Sequence, residues 1–321
     1  MQSNVFIGVD VAKDHVVVAW HDARAPTRSI TNARRELGTW LDSLPPKCCL
    51  GVESTGRYHE LLVGLACARG MRVYLLNPRA LHHYAKALHR GNKTDRLDAE
   101  LIARYVAAEH LRLRPYTPPT ASEYQLLTLQ RRRAKLVSIR HSLRQSMRDV
   151  PDLSEHVQVT LRSFENLINA IDQVVAQLIE REPERRDLAQ RLRSLPGFGP
   201  LNSHHYATLL PRIDAPNADA CVAYTGLDLR ARDSGRFRGQ RKLTKHGPSE
   251  TRRLIYLAAQ AAARSNPHWN ALYRQLLDKG RTPTQAIVIL ARKLLRIAYH
   301  LYRHGGSYDP VRFAQNAGLA T

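Results

Sequence analysis

Acidic residues are the scarce class in this sequence. Its 321 residues carry 28 Asp and Glu against 49 Lys and Arg, a formal net charge of +21. A compact chain with that imbalance repels itself until a polyanion offsets it, so nucleic acid is the expected partner, bound with strong salt dependence through counterion release. A membrane surface fits less well, because the basic residues are spread over several segments and are not gathered on one amphipathic helix or tail. Cysteine is sparse too. Cys48, Cys49, Cys67 and Cys221 include no C-x-x-C pair, so neither a zinc site nor a disulfide framework is expected, and a reducing compartment fits. Long apolar runs are missing: the stretch 286–291 is far too short to span a bilayer. The opening MQSNVFIGVD has neither the basic start nor the long apolar core of a signal peptide.

What is present starts with residues 91–100, GNKTDRLDAE. Thr94 reads as the N-cap of a helix whose apolar stripe is Leu97, Leu101 and Ile102. Asp95 and Asp98 then share one face, about one turn apart. Acids in a first helical turn ordinarily complement the macrodipole. Two more acids change the reading. Residues 5–11, 15–20 and 28–31 read as a meander of strands, 48–52 as a fourth, and 73–76 as a fifth, with helices over 58–69 and 78–88. Asp10 interrupts the first of these apolar strands and Glu53 ends the fourth, where a charge is costly to bury unless paired or metal-bound. Three strands followed by alternating helix and strand is the order of a ribonuclease-H-like domain, in which the first and fourth strands lie side by side. Four carboxylates at one sheet edge suit Mg²⁺ (or Mn²⁺): hard cations prefer carboxylate oxygen, and two of them can neutralise a phosphodiester and activate its attacker.

Prolines 115, 118 and 119 mark a boundary. Residues 122–150 read as a helix with a heptad seam at Leu129, Leu136, Leu143 and Val150, and with seven basic residues, among them Arg131, Arg132 and Arg133. A turn at Pro151 and Asp152 returns a second helix over 157–181. The hairpin would be on the order of 40 Å long. It reads either as self-contained with a solvated basic face, or as a dimerisation element lying along nucleic acid. LRSLPGFGP at 192–200 resembles half of a helix-hairpin-helix, whose Gly197 and Gly199 would let backbone N–H groups approach a phosphate. The stretch 230–253 holds nine Lys and Arg, including Arg236, Arg238, Lys242 and Lys245, around Ser234 in a flexible loop. A loop serine is ordinarily a turn former. A serine among arginines can also attack a phosphodiester, since cations bind the phosphate and stabilise the transition state. The surroundings do not read G-x-S-x-G, which excludes an esterase elbow. Thr282, Pro283 and Gln285 open a last long helix with a capping box, and Gly305 closes it.

Taken together, Asp10 in IGVDVAKD, Glu53 in GVESTGRYHE, Asp95 and Asp98 in NKTDRLDAELIARY, YTGL at 224–227, the Ser234–Gly235 pair and LTKHG at 243–247 resemble the DEDD transposases of insertion sequences, the IS-one-ten family, which are similar to Piv-type DNA invertases. The resemblance implies an α/β plus all-α fold: a RuvC-like domain at 1–117, a basic helical coiled-coil region at 118–190, a mostly helical serine transposase domain at 191–306 and a tail at 307–321. It implies Mg²⁺ on the four acids and a covalent phosphoserine at Ser234, with Ser249 as the alternative serine. Many relatives have paired serines before the glycine; here Asp233 precedes Ser234. It further implies a homo-oligomer, dimer to tetramer, with carboxylates and serine from different subunits, a structured bridge RNA beside donor and target DNA, and a prokaryotic cytoplasm near the nucleoid. Three other readings stay open: a metal-dependent nuclease or Holliday-junction resolvase using water, an RNA-independent Piv-like invertase, and a non-catalytic nucleic-acid-binding protein.

Overall fold

Strand β1 (Val5–Val11) is the middle strand of a five-stranded sheet in the computed structural model of the chain. The structure describes every residue except 1–4, 23–24, 55, 89–93, 231–232, 235–236, 239–240 and 319–321, and only the backbone at 233–234 and 237–238. β2 (His15–Trp20) and β3 (Arg28–Thr31) extend the sheet antiparallel on one side of β1. β4 (Cys48–Glu53) and β5 (Arg72–Leu76) extend it parallel on the other, in the order β3-β2-β1-β4-β5. The side-by-side pairing of β1 and β4 is as expected, and the mixed sheet is consistent with a ribonuclease-H-like domain.

Period-two alternation splits the side chains of β1 between two layers. Val5, Ile7 and Val9 pack with Leu37 and Leu41 of helix α1 (Arg34–Asp42) and with Leu62 and Ala66 of α2 (His59–Ala68). Phe6 and Cys49 look the other way, onto Leu81 of α3 (Pro78–Ala87) and onto Ile102 and Val106 of α4 (Asp95–Glu109). Helix α1 was not legible in the sequence. Asn77 caps α3, accepting from Arg79 N–H at 2.8 Å, and Thr94 caps α4, accepting from Leu97 N–H at 3.3 Å. A cap of this kind is worth roughly 1 kcal/mol.

The chain divides into two compact units, Met1–Pro119 and Thr120–Thr321. The second opens with a helical hairpin, α5 (Ala121–Ser146) and α6 (Ser154–Glu180), α5 being started by a capping box of Thr120 and Glu123. Leu126 of α5 and Ile171, Val175 and Leu178 of α6 join one core with the helices that follow. These are α7 (Pro183–Arg193), α8 (Pro200–Leu209) and α9 (Ala218–Tyr224). Four two-residue strands come next: β6 (Leu229–Arg230), β7 (Asp233–Ser234), β8 (Phe237–Arg238) and β9 (Lys242–Leu243). α10 (Ser249–Ser265), α11 (Pro267–Asp278), α12 (Pro283–His304) and α13 (Pro310–Ala317) complete the unit. The capping box expected at Thr282 and Gln285 is formed. The tail, unreadable in the sequence, carries α13, whose Phe313 stacks on the buried Trp269 at 4.4 Å between ring centroids.

Candidate active site

Asp10 and Glu53 follow Val9 and Val52, which are register partners in the parallel β1–β4 pair. They alternate with Gly8 and Gly51, so both acids belong to the face that α4 covers. The two glycines are themselves register partners, and they make the trough in which α4 lies. A Cβ at Gly8 would sit 2.1 Å from the Ala99 carbonyl oxygen and 2.3 Å from Ala103 N. One at Gly51 would meet Val106 at 2.4 Å. This backbone-to-helix contact sets how far the first turn of α4, with Asp95 and Asp98, overhangs the end of β1. Sequence inspection had no signal for it, because the register of the two strands is a long-range property.

The electrostatics record the convergence. Asp10 is half-buried, and its carboxyl is raised from the usual 3.8 to about 6, first by burial and then by the charges of Asp98, Asp95 and Glu53. An acid that feels three others is a site that a divalent cation would relieve, and the donors are hard oxygens of the right kind. The donor chemistry therefore fits Mg²⁺ or Mn²⁺. Among the described residues, no three His, Cys, Asp or Glu side chains close on one point as a formed ion site.

Two neighbours went unremarked in the sequence. His15 Nε2 lies 3.6 Å from Asp95 Oδ2. Asn32 Nδ2 donates to the Ala12 carbonyl at 3.0 Å and to the Tyr58 carbonyl at 3.1 Å, tying the turn after Asp10 to the segment after Glu53. Arg96 pairs along its own helix with Glu100 at 3.1 Å.

Ser234 belongs to the second unit. Its backbone is in β7, paired with β8 in the register Ser234↔Phe237, while β6 pairs with β9 further down. Residues 229–230 and 233–234 therefore pair with 242–243 and 237–238 in two short antiparallel ladders, together called the ribbon, where a loop was expected. The side chains of Ser234 and Arg238, and all of Arg236, lie outside what is described. The ribbon's base is clamped. Gly226, at φ +71°, and Gly247 pack backbone on backbone: a Cβ on Gly226 would meet Gly247 N at 2.7 Å, and one on Gly247 the Tyr224 carbonyl oxygen at 2.2 Å. Arg252 Nη1 donates to the carbonyls of Thr225 at 3.2 Å and Gly247 at 2.5 Å, so one guanidinium holds both stems. Lys245 N–H donates to the Gly226 carbonyl at 3.0 Å, and the Thr244 hydroxyl donates to Asp228. The YTGL and LTKHG motifs are thus the two halves of one clamp. The alternative serine, Ser249, is exposed in the first turn of α10.

The other residues read as nucleic-acid contacts divide. Arg131 and Arg132 are exposed on α5, and Lys242 and Lys245 are exposed on the ribbon and its stem. Arg133 is 13% exposed and grips Asp172 of α6 through Nε at 2.5 Å and Nη2 at 2.9 Å, bracing the hairpin. Gly199 is exposed at the N-cap of α8. Gly197, at φ +80°, makes its close backbone approach inward, where a Cβ would meet the Ala258 carbonyl oxygen of α10 at 2.0 Å.

Carboxylates on the helix-covered face of such a sheet, in a strongly basic chain, suit the class of enzymes that act on the phosphodiesters of nucleic acid. Comparison with known proteins narrows the class. Residues 7–154 match the transposase model of the IS110 DEDD type, and residues 189–274 match the Transposase IS116/IS110/IS902 family. The chain belongs to this transposase family. It is 29% identical over 321 residues to the pilin gene-inverting protein of Moraxella bovis, covering 96% of this chain and 98% of that protein. The protein of the same name from Moraxella lacunata is 28% identical over 319 residues, with the same coverage. A 42 kDa protein of insertion element IS900 from Mycobacterium paratuberculosis is 29% identical over 136 residues, 42% of this chain and 34% of that protein.

Proposed function

We propose that this transposase is a site-specific DNA recombinase of an insertion sequence, Mg²⁺- or Mn²⁺-dependent, with Ser234 as nucleophile. The observation that carries the reading is the electrostatic gathering of Asp98, Asp95 and Glu53 around Asp10. A divalent cation held by these four would neutralise charge at the scissile phosphate. The chain's own residues do the rest. The Ser234 hydroxyl attacks phosphorus, a P–Oγ ester forms, the bond to the departing sugar oxygen breaks, and the hydroxyl's proton ends on that oxygen. Reversal by a second strand's hydroxyl rejoins DNA without ATP, because the phosphoserine keeps the bond energy. The cations of the sequence 229–243 stabilise the charge on the transferring phosphate.

The family resemblance supports a bridge RNA that chooses donor and target DNA, and an oligomer assembled through the basic helical region at 118–190. Exposed Val159, Leu167 and Val174 on α6 support a partner there as well. On this reading residues 1–117 are the cation-binding domain and 191–306 the serine domain. Arg131, Arg132, Gly199, Lys242 and Lys245, with Arg236 and Arg238, contact nucleic-acid backbone. A guide-free invertase is the second reading; the two pilin gene-inverting proteins that match almost end to end favour inversion as the outcome.

Incubating the protein with supercoiled DNA carrying element ends and Mg²⁺, then denaturing it, tests the nucleophile. A protein–DNA adduct should be trapped in wild type and lost in Ser234→Ala. Full cleavage by Ser234→Ala would mean that water attacks and that the enzyme is a nuclease. Sequencing the nucleic acid that copurifies decides between the guided and guide-free readings.

A further inference from the structure

Helix α12 carries a row of basic residues toward its end. Lys293, Arg296 and His300 fall at positions i, i+3 and i+7, one face of a helix. Arg312 of α13 joins them as lining of a cavity of about 440 Å³. The apolar part of the lining is Ile297, Leu301 and Phe313. The acids nearby are already engaged. Asp219 pairs with Arg296 at 2.7 Å. Asp309 lines the cavity but caps α13, its Oδ1 accepting from the N–H groups of Val311 at 2.9 Å and Arg312 at 3.0 Å. The Lys293 ammonium has the Phe313 ring as its neighbour, 5.3 Å away. Burial and Arg296 hold Lys293 below the usual lysine range, and burial, His304 and Arg312 do the same to His300. In both, burial is the first cause and neighbouring positive charge the second, and a bound anion relieves the second.

An anion alone would leave the apolar wall unused, and the volume falls in the range of small-molecule sites, roughly 300–1,000 Å³. We propose that the cavity between α12 and α13 binds a nucleotide unit, with its phosphate among Lys293, His300 and Arg312 and its base against Ile297, Leu301 and Phe313. The unit is either a free nucleotide or one residue of a bound strand; the chemistry recognised is the same. The site needs neither the four carboxylates nor Ser234.

Calorimetric titration of the full-length protein with deoxyadenosine monophosphate tests this, beside inorganic phosphate alone. Saturable binding at one site is expected, at least tenfold tighter for the nucleotide than for phosphate, and weakened at least tenfold in Arg312→Ala and in His300→Ala. Both side chains are exposed, so the variants should keep the wild-type thermal midpoint. Displacement of the bound nucleotide by a 5′-phosphorylated oligonucleotide identifies a strand as the source, and persistence of the nucleotide identifies the free molecule. No saturable binding, binding as tight for phosphate as for the nucleotide, or full affinity in both variants would overturn the proposal.

Discussion

On the proposed function, Asp10 pits cation binding against stability within one side chain. Its carboxyl is raised in the fold from 3.8 to about 6. As pH climbs through that window the unfolded chain gives up its proton first, so the folded state loses stability until the pH is above about 6. Asp10→Asn removes the penalty. The variant should therefore unfold at a higher temperature than wild type at pH 7 without added metal, show no gain at pH 4, and be inactive in strand cleavage. A thermal midpoint at pH 7 lower than wild type would show that Asp10 is stabilised by partners and not crowded by them. Added Mn²⁺ should raise the wild-type midpoint more at pH 7.5 than at pH 5, where protons compete for the same carboxylate.

Two elements position the chemistry, and each rests on glycines that face backbone. Gly8→Ala drives a methyl into the Ala99 carbonyl and should cost about 1–3 kcal/mol, with Mn²⁺ affinity falling as α4 lifts off β1; unchanged affinity would separate the trough from the site. Arg252→Ala frees both stems of the ribbon. We expect adduct formation at Ser234 to fall at least tenfold while Mn²⁺ binding stays as in wild type; loss of both would point to unfolding. These elements also mark where the sequence was legible. Asp10 and Glu53 stood out because a charge in an apolar strand needs a reason, and Asp95 and Asp98 because Thr94 fixed where their helix begins. Helix α1 escaped because its buried side is little more than Leu37 and Leu41 among polar neighbours. The ribbon escaped because two-residue strands show no period. Gly8, Gly51 and Asn32 act only through partners that the fold brings from far along the chain.

For the molecule as a whole, the charge of +21 governs how DNA is held. Affinity for an unspecific duplex should fall by roughly 10³-fold or more between 50 and 200 mM salt, as for a protein making six or more phosphate contacts; a flat salt response would mean that most of the basic residues never meet a phosphate. That electrostatic grip is common to many proteins, whereas a cation at the edge of the sheet is particular to this account. Anomalous diffraction from crystals soaked in Mn²⁺ reads that claim most directly. The account predicts a peak bounded by Asp10, Glu53, Asp95 and Asp98 that disappears in Asp10→Asn. A map with no peak there, from crystals of an active preparation, would contradict it.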